Sequence, residues 1–248
     1  MKNVFRLLFC CAMMIVATET NAQIKKKAVG KKVITTQKRA RTSFKRMATA
    51  KIIDNSIKVK ITTDSGIIVV KLYDSTPLHR DNFAKLVKEG FYDSLLFHRV
   101  ISNFMIQGGD PNSKNAQAGV MLGGGGGDME RIPAEFKPSL FHKKGTLCAA
   151  RDGNPEKASS ACQFYIVQGT KYTDDQLNGM EMQMGKKFSI QERMAYKTIG
   201  GTPQLDQNYT VFGEVVKGLN VIDKIASVQK GQADRPVGDV RMKMEIIK

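Results

Sequence analysis

From residue 55 onward the chain is cut into short β-prone runs joined by turn residues, and this spacing restricts the fold more than any other feature. Ser56–Thr63 alternates Ile57, Val59 and Ile61; Asp64-Ser65-Gly66 then supplies a turn and Ile67–Tyr73 follows at once, a hairpin signal. Further runs lie at Leu95–Val100, Phe104–Gln107, Thr146–Arg151, Gln163–Val167, Val211–Val216 and Val240–Ile247. Eight short strands with glycine-rich joins predict a barrel or a sandwich.

Two helical patterns interrupt the strands. Thr76-Pro77 opens the first, with proline in the tolerated first turn, and Gly90 ends it; Leu78, Asn82/Phe83, Leu86 and Val87 form its apolar stripe. The second is Leu219–Val228, with Val221, Ile222, Ile225 and Val228 on one side. Both are expected to plug or flank the barrel. Residues 171–202 read as an inserted helical pair. Thr173-Asp174-Asp175-Gln176 and Ser189-Ile190-Gln191-Glu192 each fit a capping box, followed by shared faces of Leu177, Met180 and Met184 and of Ile190 and Met194. These faces are expected to pack against the body, and Gly200-Gly201 and Pro203 return the chain to extended structure.

Charge is unevenly spread. Residues 23–53 hold eight Lys and three Arg with no acid, so this short arm carries most of the formal +16, and the body is nearly balanced. The arm lacks a steady apolar period, and self-repulsion should keep residues 23–54 extended and flexible. It reads as a solvated tether, with weak electrostatic contact to a membrane surface or nucleic acid as the alternatives. Ahead of it, residues 1–22 have the parts of a secretory signal peptide: Lys2 and Arg6, the apolar run Leu7–Ala17, then Thr20-Asn21-Ala22 before a cut ahead of Gln23. The expectation is export to the periplasm or beyond, which makes a specific nucleic-acid partner an unexpected one. Cys10 and Cys11 would leave with the signal; Cys148 and Cys162 would remain, read as two small buried thiols, with a disulfide between them as the alternative that an oxidising compartment permits. No uninterrupted apolar stretch reaches the roughly 18 residues of a membrane span.

Common hydrolase and nucleotide signatures are missing: there is no GxSxG elbow, no HExxH and no Walker loop. His79, His98 and His142 lie in separate segments, so no triad or metal site is expected, and no cofactor. The glycine run Gly123–Gly127 reads as a flexible loop, because no Lys-Ser/Thr follows it.

The chemistry lies instead in Phe97-His98-Arg99-Val100-Ile101-Ser102-Asn103-Phe104-Met105-Ile106-Gln107-Gly108-Gly109-Asp110. This stretch resembles the signature of the cyclophilins, the peptidyl-prolyl cis-trans isomerases, in a bacterial type. Ile132–Phe136, Ala149-Ala150-Arg151, Ala158-Ser159-Ser160 leading to Gln163–Ile166, Val211-Phe212-Gly213 and Val216-Lys217-Gly218 match the family in the same order. The likeness covers residues 55–248, with 171–202 as the insertion. It implies an all-β dominated fold: a closed, eight-stranded antiparallel barrel capped by two α-helices.

The resemblance also implies roles. Arg99 matches the family's catalytic arginine and Gln107 the glutamine that orients it. Phe104, Met105, Tyr165 and Leu205 match the pocket for the proline ring. Gln163, Ala150 and Arg151 match groups that hold the peptide backbone, with Tyr209 near the ring. Strand periodicity supports the pairing in part, since Phe104 and Ile106 would face opposite Met105 and Gln107. His98 is expected to be structural.

Several positions depart from the family pattern. Gln204 stands where many members carry tryptophan, Tyr165 replaces a usual phenylalanine, Tyr209 a frequent histidine and Arg151 a common asparagine. The Tyr165 hydroxyl must therefore find a partner at the pocket floor. The implied substrates are proline-containing peptides and unfolded proteins, handled by a monomer that assists folding outside the cytoplasm. A proline-peptide binding module whose isomerisation is incidental is the competing class.

Overall fold

A computed structural model describes residues 56–247. The expected signal at 1–22 and the basic arm at 23–54 lie outside the described residues.

Eight strands form one antiparallel sheet: β1 Lys58–Thr63, β2 Gly66–Leu72, β3 Arg99–Ile101, β4 Met105–Gly108, β5 Thr146–Ala149, β6 Phe164–Val167, β7 Val211–Lys217 and β8 Lys243–Ile247. Their order is β3-β4-β6-β5-β7-β2-β1-β8. The expected closed barrel is corrected here, because the ladder never joins β3 to β8 and the sheet is an open half-barrel. Leu95, Leu96, Phe97 and His98 are all buried in succession, so this stretch does not alternate as a two-sided strand would, and β3 starts only at Arg99. Across the gap, irregular segments exchange backbone hydrogen bonds. Ser94 N donates to Met242 O, Met242 N to Leu95 O and Phe97 N to Val240 O, each at 2.9 Å.

Helix α1, Pro77–Lys88, and a second helix, Leu219–Ala226, cover the core. Phe83, Leu86 and Val87 from the first, and Val221, Ile222 and Ile225 from the second, pack with Val70, Leu72, Ile106, Leu147, Phe164, Ile166 and Phe212. The expected stripe on α1 needs one correction: Leu78 is 51% exposed, and His79 is the buried member of that turn. It is held by Glu135 at 2.7 Å and Ser159 at 2.9 Å. Among the described residues no helix is long and apolar enough to cross a membrane.

Alternation along the strands sorts side chains between two clusters. Ile106, Leu147, Phe164 and Ile166 enter the main core. Their neighbours Met105, Cys148, Tyr165 and Val167 form a smaller cluster on the opposite face, with Val211, Ala150, Phe104, Leu205 and Tyr209. Phe104 therefore sits with Met105, not opposite it. It belongs to the turn before β4, where Asn103 adopts φ 62, and strand parity does not extend through that turn.

Among the described residues the α-helices in chain order are α1, then α2 Asp174–Met184, α3 Ile190–Thr198 and α4 Leu219–Ala226. Both capping boxes of the α2/α3 pair are present, from Thr173 with Gln176 and from Ser189 with Glu192. The pair has its own small core of Phe141, Leu177, Phe188 and Tyr196, with Met180 and Met184 at its margin. The expected Ile190/Met194 face is exposed instead, and α3 turns Glu192, Ala195 and Tyr196 inward. Glu181 accepts from Lys187, from Arg193 and from the Phe188 N–H, which holds its pKa down at about 2.

Candidate active site

Strands β3 and β4 form a short hairpin in which Arg99 stands directly opposite Gln107. Register alone thus brings guanidinium and amide together, since opposed side chains on one face of a sheet are nearest neighbours. Arg99 Nη1 donates to Gln107 Oε1 at 3.5 Å. Gln107 Nε2 donates to Gln163 Oε1 at 3.1 Å, and Gln163 Nε2 to the carbonyls of Gly123 and Gly125 at 2.9 Å each. Three side chains from three strands or their edges are therefore strung onto the glycine loop.

That loop is a built wall, which corrects the flexible loop expected from its composition. The buried Asp110 accepts from the Asn112 N–H at 2.8 Å and from the Gly123 N–H. A methyl on Gly125 would collide with Asp110, and one on Gly126, whose φ is 80, with the Cys162 sulfur. Gly125 and Gly126 thus let backbone approach where side chains could not.

A cavity of about 290 Å³ opens beside Arg99 and is lined by Arg99, Phe104, Met105, Gln107, Ala150, Arg151, Tyr165, Leu205 and Tyr209, together with His98, Leu122 and Gly123. Nine of the ten expected site residues thus meet in one hollow. Gln163, the tenth, lines an adjoining groove of about 270 Å³ that shares Gln107, Gly123, Ala150 and Arg151 with the first. Phe104, Met105, Tyr165 and Leu205 give the hollow an apolar interior, and Arg99 places a cation at its side.

Arg99 keeps donors to spare. Its two protein contacts are long, and its side chain is 43% exposed; the second contact is Nε to Asp234 Oδ2 at 3.6 Å. Asp234 was not foreseen. It sits in the turn Gln232–Asp234 at φ 59, and a lone acid 135 positions from Arg99 gives sequence no signal.

The other wall is more occupied than its expected role requires. Ala150 N donates to Gln163 O at 2.9 Å, and Ala150 O accepts from Ser160 N at 2.8 Å. Ala150 therefore has no free N–H for a ligand, and only its second carbonyl lone pair remains. Arg151 Nε donates to Asn208 O at 2.9 Å, and its guanidinium lies 4.7 Å over the Tyr209 ring. The Arg151 backbone carries no hydrogen bond to the described residues, and the residue lines the groove.

The Tyr165 hydroxyl finds its partner in His142 Nε2 at 3.0 Å, and Tyr209 meets the Tyr165 ring edge-on at 5.9 Å. Burial pushes the Tyr165 phenol well above its ordinary pKa, so it stays protonated. Burial also pushes up both thiols, and Cys148 and Cys162 are free and buried, which excludes a reactive thiolate here. His98 is buried under the hollow; desolvation brings its pKa down to about 4, with the Arg99 and Arg235 charges acting in the same direction. It is neutral near pH 7.

Comparison with known proteins gives the chain a family. The cyclophilin type peptidyl-prolyl cis-trans isomerase/CLD family matches residues 58–246. A Staphylococcus haemolyticus protein described as a peptidyl-prolyl cis-trans isomerase is 37% identical over 188 residues, 75% of this chain and 89% of its own. One from Staphylococcus aureus is 36% identical over 185 residues, 74% of this chain and 88% of its own. Among solved structures, a Cryptosporidium parvum cyclophilin type isomerase superposes with a TM-score of 0.56 at 22% identity, covering 78% of this chain and 98% of that one. A second structure of the Cryptosporidium protein was obtained in the presence of the dipeptide Ala-Pro. From Lys58 to Ile246, this chain belongs to the cyclophilin-type peptidyl-prolyl cis-trans isomerases.

Proposed function

We propose that Arg99 drives X–Pro rotation by donating to the prolyl nitrogen, with Gln107 orienting the guanidinium. Delocalisation of the nitrogen lone pair gives the bond its barrier of about 18–20 kcal/mol, and uncatalysed exchange takes roughly tens to hundreds of seconds. A donor aimed at that nitrogen localises the lone pair and weakens the partial double bond. A turnover of about 10² s⁻¹ needs roughly 10⁴-fold acceleration, or about 5–6 kcal/mol. A charge-assisted hydrogen bond at the rim of an apolar pocket supplies a substantial part of this, and no covalent intermediate is needed. The prolyl ring would enter among Phe104, Met105, Tyr165 and Leu205, with Tyr209 at the margin. The free Arg151 backbone and the Ala150 carbonyl would hold the peptide; Gln163 would act by bracing Gln107 and the glycine wall.

One observation carries this reading: Arg99 is register-paired with Gln107 at the side of a hollow lined by apolar rings and chains. The substrates in this reading are proline-containing segments of unfolded proteins. The secretory pattern of residues 1–22 extends it to a monomeric folding helper outside the cytoplasm, to be tested by N-terminal sequencing of the protein recovered from the envelope. Residues 23–53 would serve as a tether with at most weak contact to anionic membrane.

The deciding experiment is a protease-coupled prolyl-peptide assay on wild type and Arg99→Ala. Wild type should be fast and the variant slow. If both ran near the uncatalysed rate while still binding peptide, the enzyme mechanism would give way to a binding module.

A further inference from the structure

Three polar side chains that the proposed chemistry does not use run in one buried line from the inserted helices to a fourth, Tyr165, at the floor of the proline pocket. On α3, the Tyr196 hydroxyl donates to Asp206 Oδ2 at 2.6 Å. Asp206 Oδ1 accepts from the His142 backbone N–H at 2.8 Å and faces His142 Nδ1 at 2.9 Å. His142 Nε2 meets the Tyr165 hydroxyl at 3.0 Å. Exposure is 0% for Tyr196 and His142, 2% for Asp206 and 4% for Tyr165, so water competes for none of these bonds.

Both His142 ring nitrogens are engaged, Nδ1 by the Asp206 carboxyl on one side and Nε2 by the Tyr165 hydroxyl on the other. Each member thereby fixes the next: Tyr196 and the His142 backbone orient the Asp206 carboxyl, Asp206 orients the His142 ring, and His142 holds the Tyr165 ring plane. Asp206 also follows Leu205, another residue of the hollow. The exit of the insertion is fastened to the same line. Thr202 N donates to His142 O at 2.8 Å, and a methyl on Gly201 would collide with that carbonyl and the Tyr196 ring.

We propose that the inserted helices are a positioning element of the proline pocket, acting from Tyr196 through Asp206 and His142 on Tyr165. This rests on the isomerase reading above and assigns the insertion a part in it: it sets how well the pocket is preorganised for a prolyl ring. Tyr196, Asp206 and His142 are positioning residues, since none touches the hollow. Preorganisation governs binding more than the rotation step that Arg99 serves. Losing the Tyr196 hydroxyl should therefore appear in KM and leave kcat close to wild type.

The test uses the full chain with Tyr196→Phe, Tyr165→Phe and the double variant. KM and kcat for an Ala-Pro-containing peptide are measured at a temperature where melting curves show every variant folded. Tyr196→Phe is expected to raise KM about three- to tenfold with kcat within about twofold, the size of one buried hydrogen bond. In the Tyr165→Phe background the same change should have little further effect, because the line is already cut. Should Tyr196→Phe fail to fold, Asp206→Asn is read in the same two backgrounds with the same expectation. An active wild type whose KM is unchanged by these substitutions, or whose effects multiply independently, would overturn the positioning role alone. An inactive wild type would overturn the isomerase reading and this role with it.

Discussion

Acid should destabilise this fold through His98 in particular. The ring is buried, neither nitrogen makes a hydrogen bond of ordinary geometry, and its pKa is about 4 against 6.5 for a free side chain. The folded state thus refuses a proton that the unfolded chain accepts. Stability from this residue is complete above pH 6.5 and falls at about 1.4 kcal/mol per pH unit as pH drops toward 4. Between pH 7.5 and 4.5 the loss is about 2–3 kcal/mol, large against a total stability of roughly 5–15 kcal/mol. Urea unfolding of wild type and His98→Gln at both pH values measures it, because carboxylates and the other histidines contribute equally to each protein. The wild type should lose about 2–3 kcal/mol more than the variant. Equal losses would refute the burial argument. The same reasoning requires a flat kcat from pH 5.5 to 8, since a neutral His98 never sets a second positive charge beside Arg99.

Arg99→Ala should reduce kcat about 10- to 150-fold and alter KM little, because its bond strengthens only at the twisted amide; equal losses in kcat and 1/KM in the prolyl-peptide assay would contradict this. Asp234→Asn should lower kcat by less than about tenfold, as expected for a half-exposed ion pair, and remove part of its dependence on ionic strength. A salt dependence identical to wild type would show that Asp234 does not steer Arg99. Gly126→Ala meets both a φ of 80 and the Cys162 sulfur, so it should cost about 1–3 kcal/mol in urea unfolding and weaken peptide binding.

Much of this architecture was legible in the sequence. Seven of the eight strands coincide closely with the β-prone runs, while β3 overlaps its run only at Arg99 and Val100, and the two capping boxes marked where α2 and α3 start. Turns and long-range approaches were not legible. Phe104 lies outside its strand's parity, Leu95–Phe97 look like strand by composition but turn through the core, and nothing in a glycine run says that Asp110 will hold it. Leu78, Ile190 and Met194 are apolar by type yet face outward, since a helix period reports which residues share a side and not which side is covered. The site residues came from the family likeness in register; Asp234 joins them only in three dimensions.

The two faces of β4 and β6 have a consequence for mutation. Ile106 and Phe164 answer to the interior, while their immediate neighbours Met105 and Tyr165 answer to the ligand hollow. A deletion or insertion of a single residue within either strand would exchange these duties, presenting core side chains to the incoming peptide and driving pocket side chains inward. Variation in substrate preference is therefore open to this scaffold by swapping side chains, and closed to it by changing strand length.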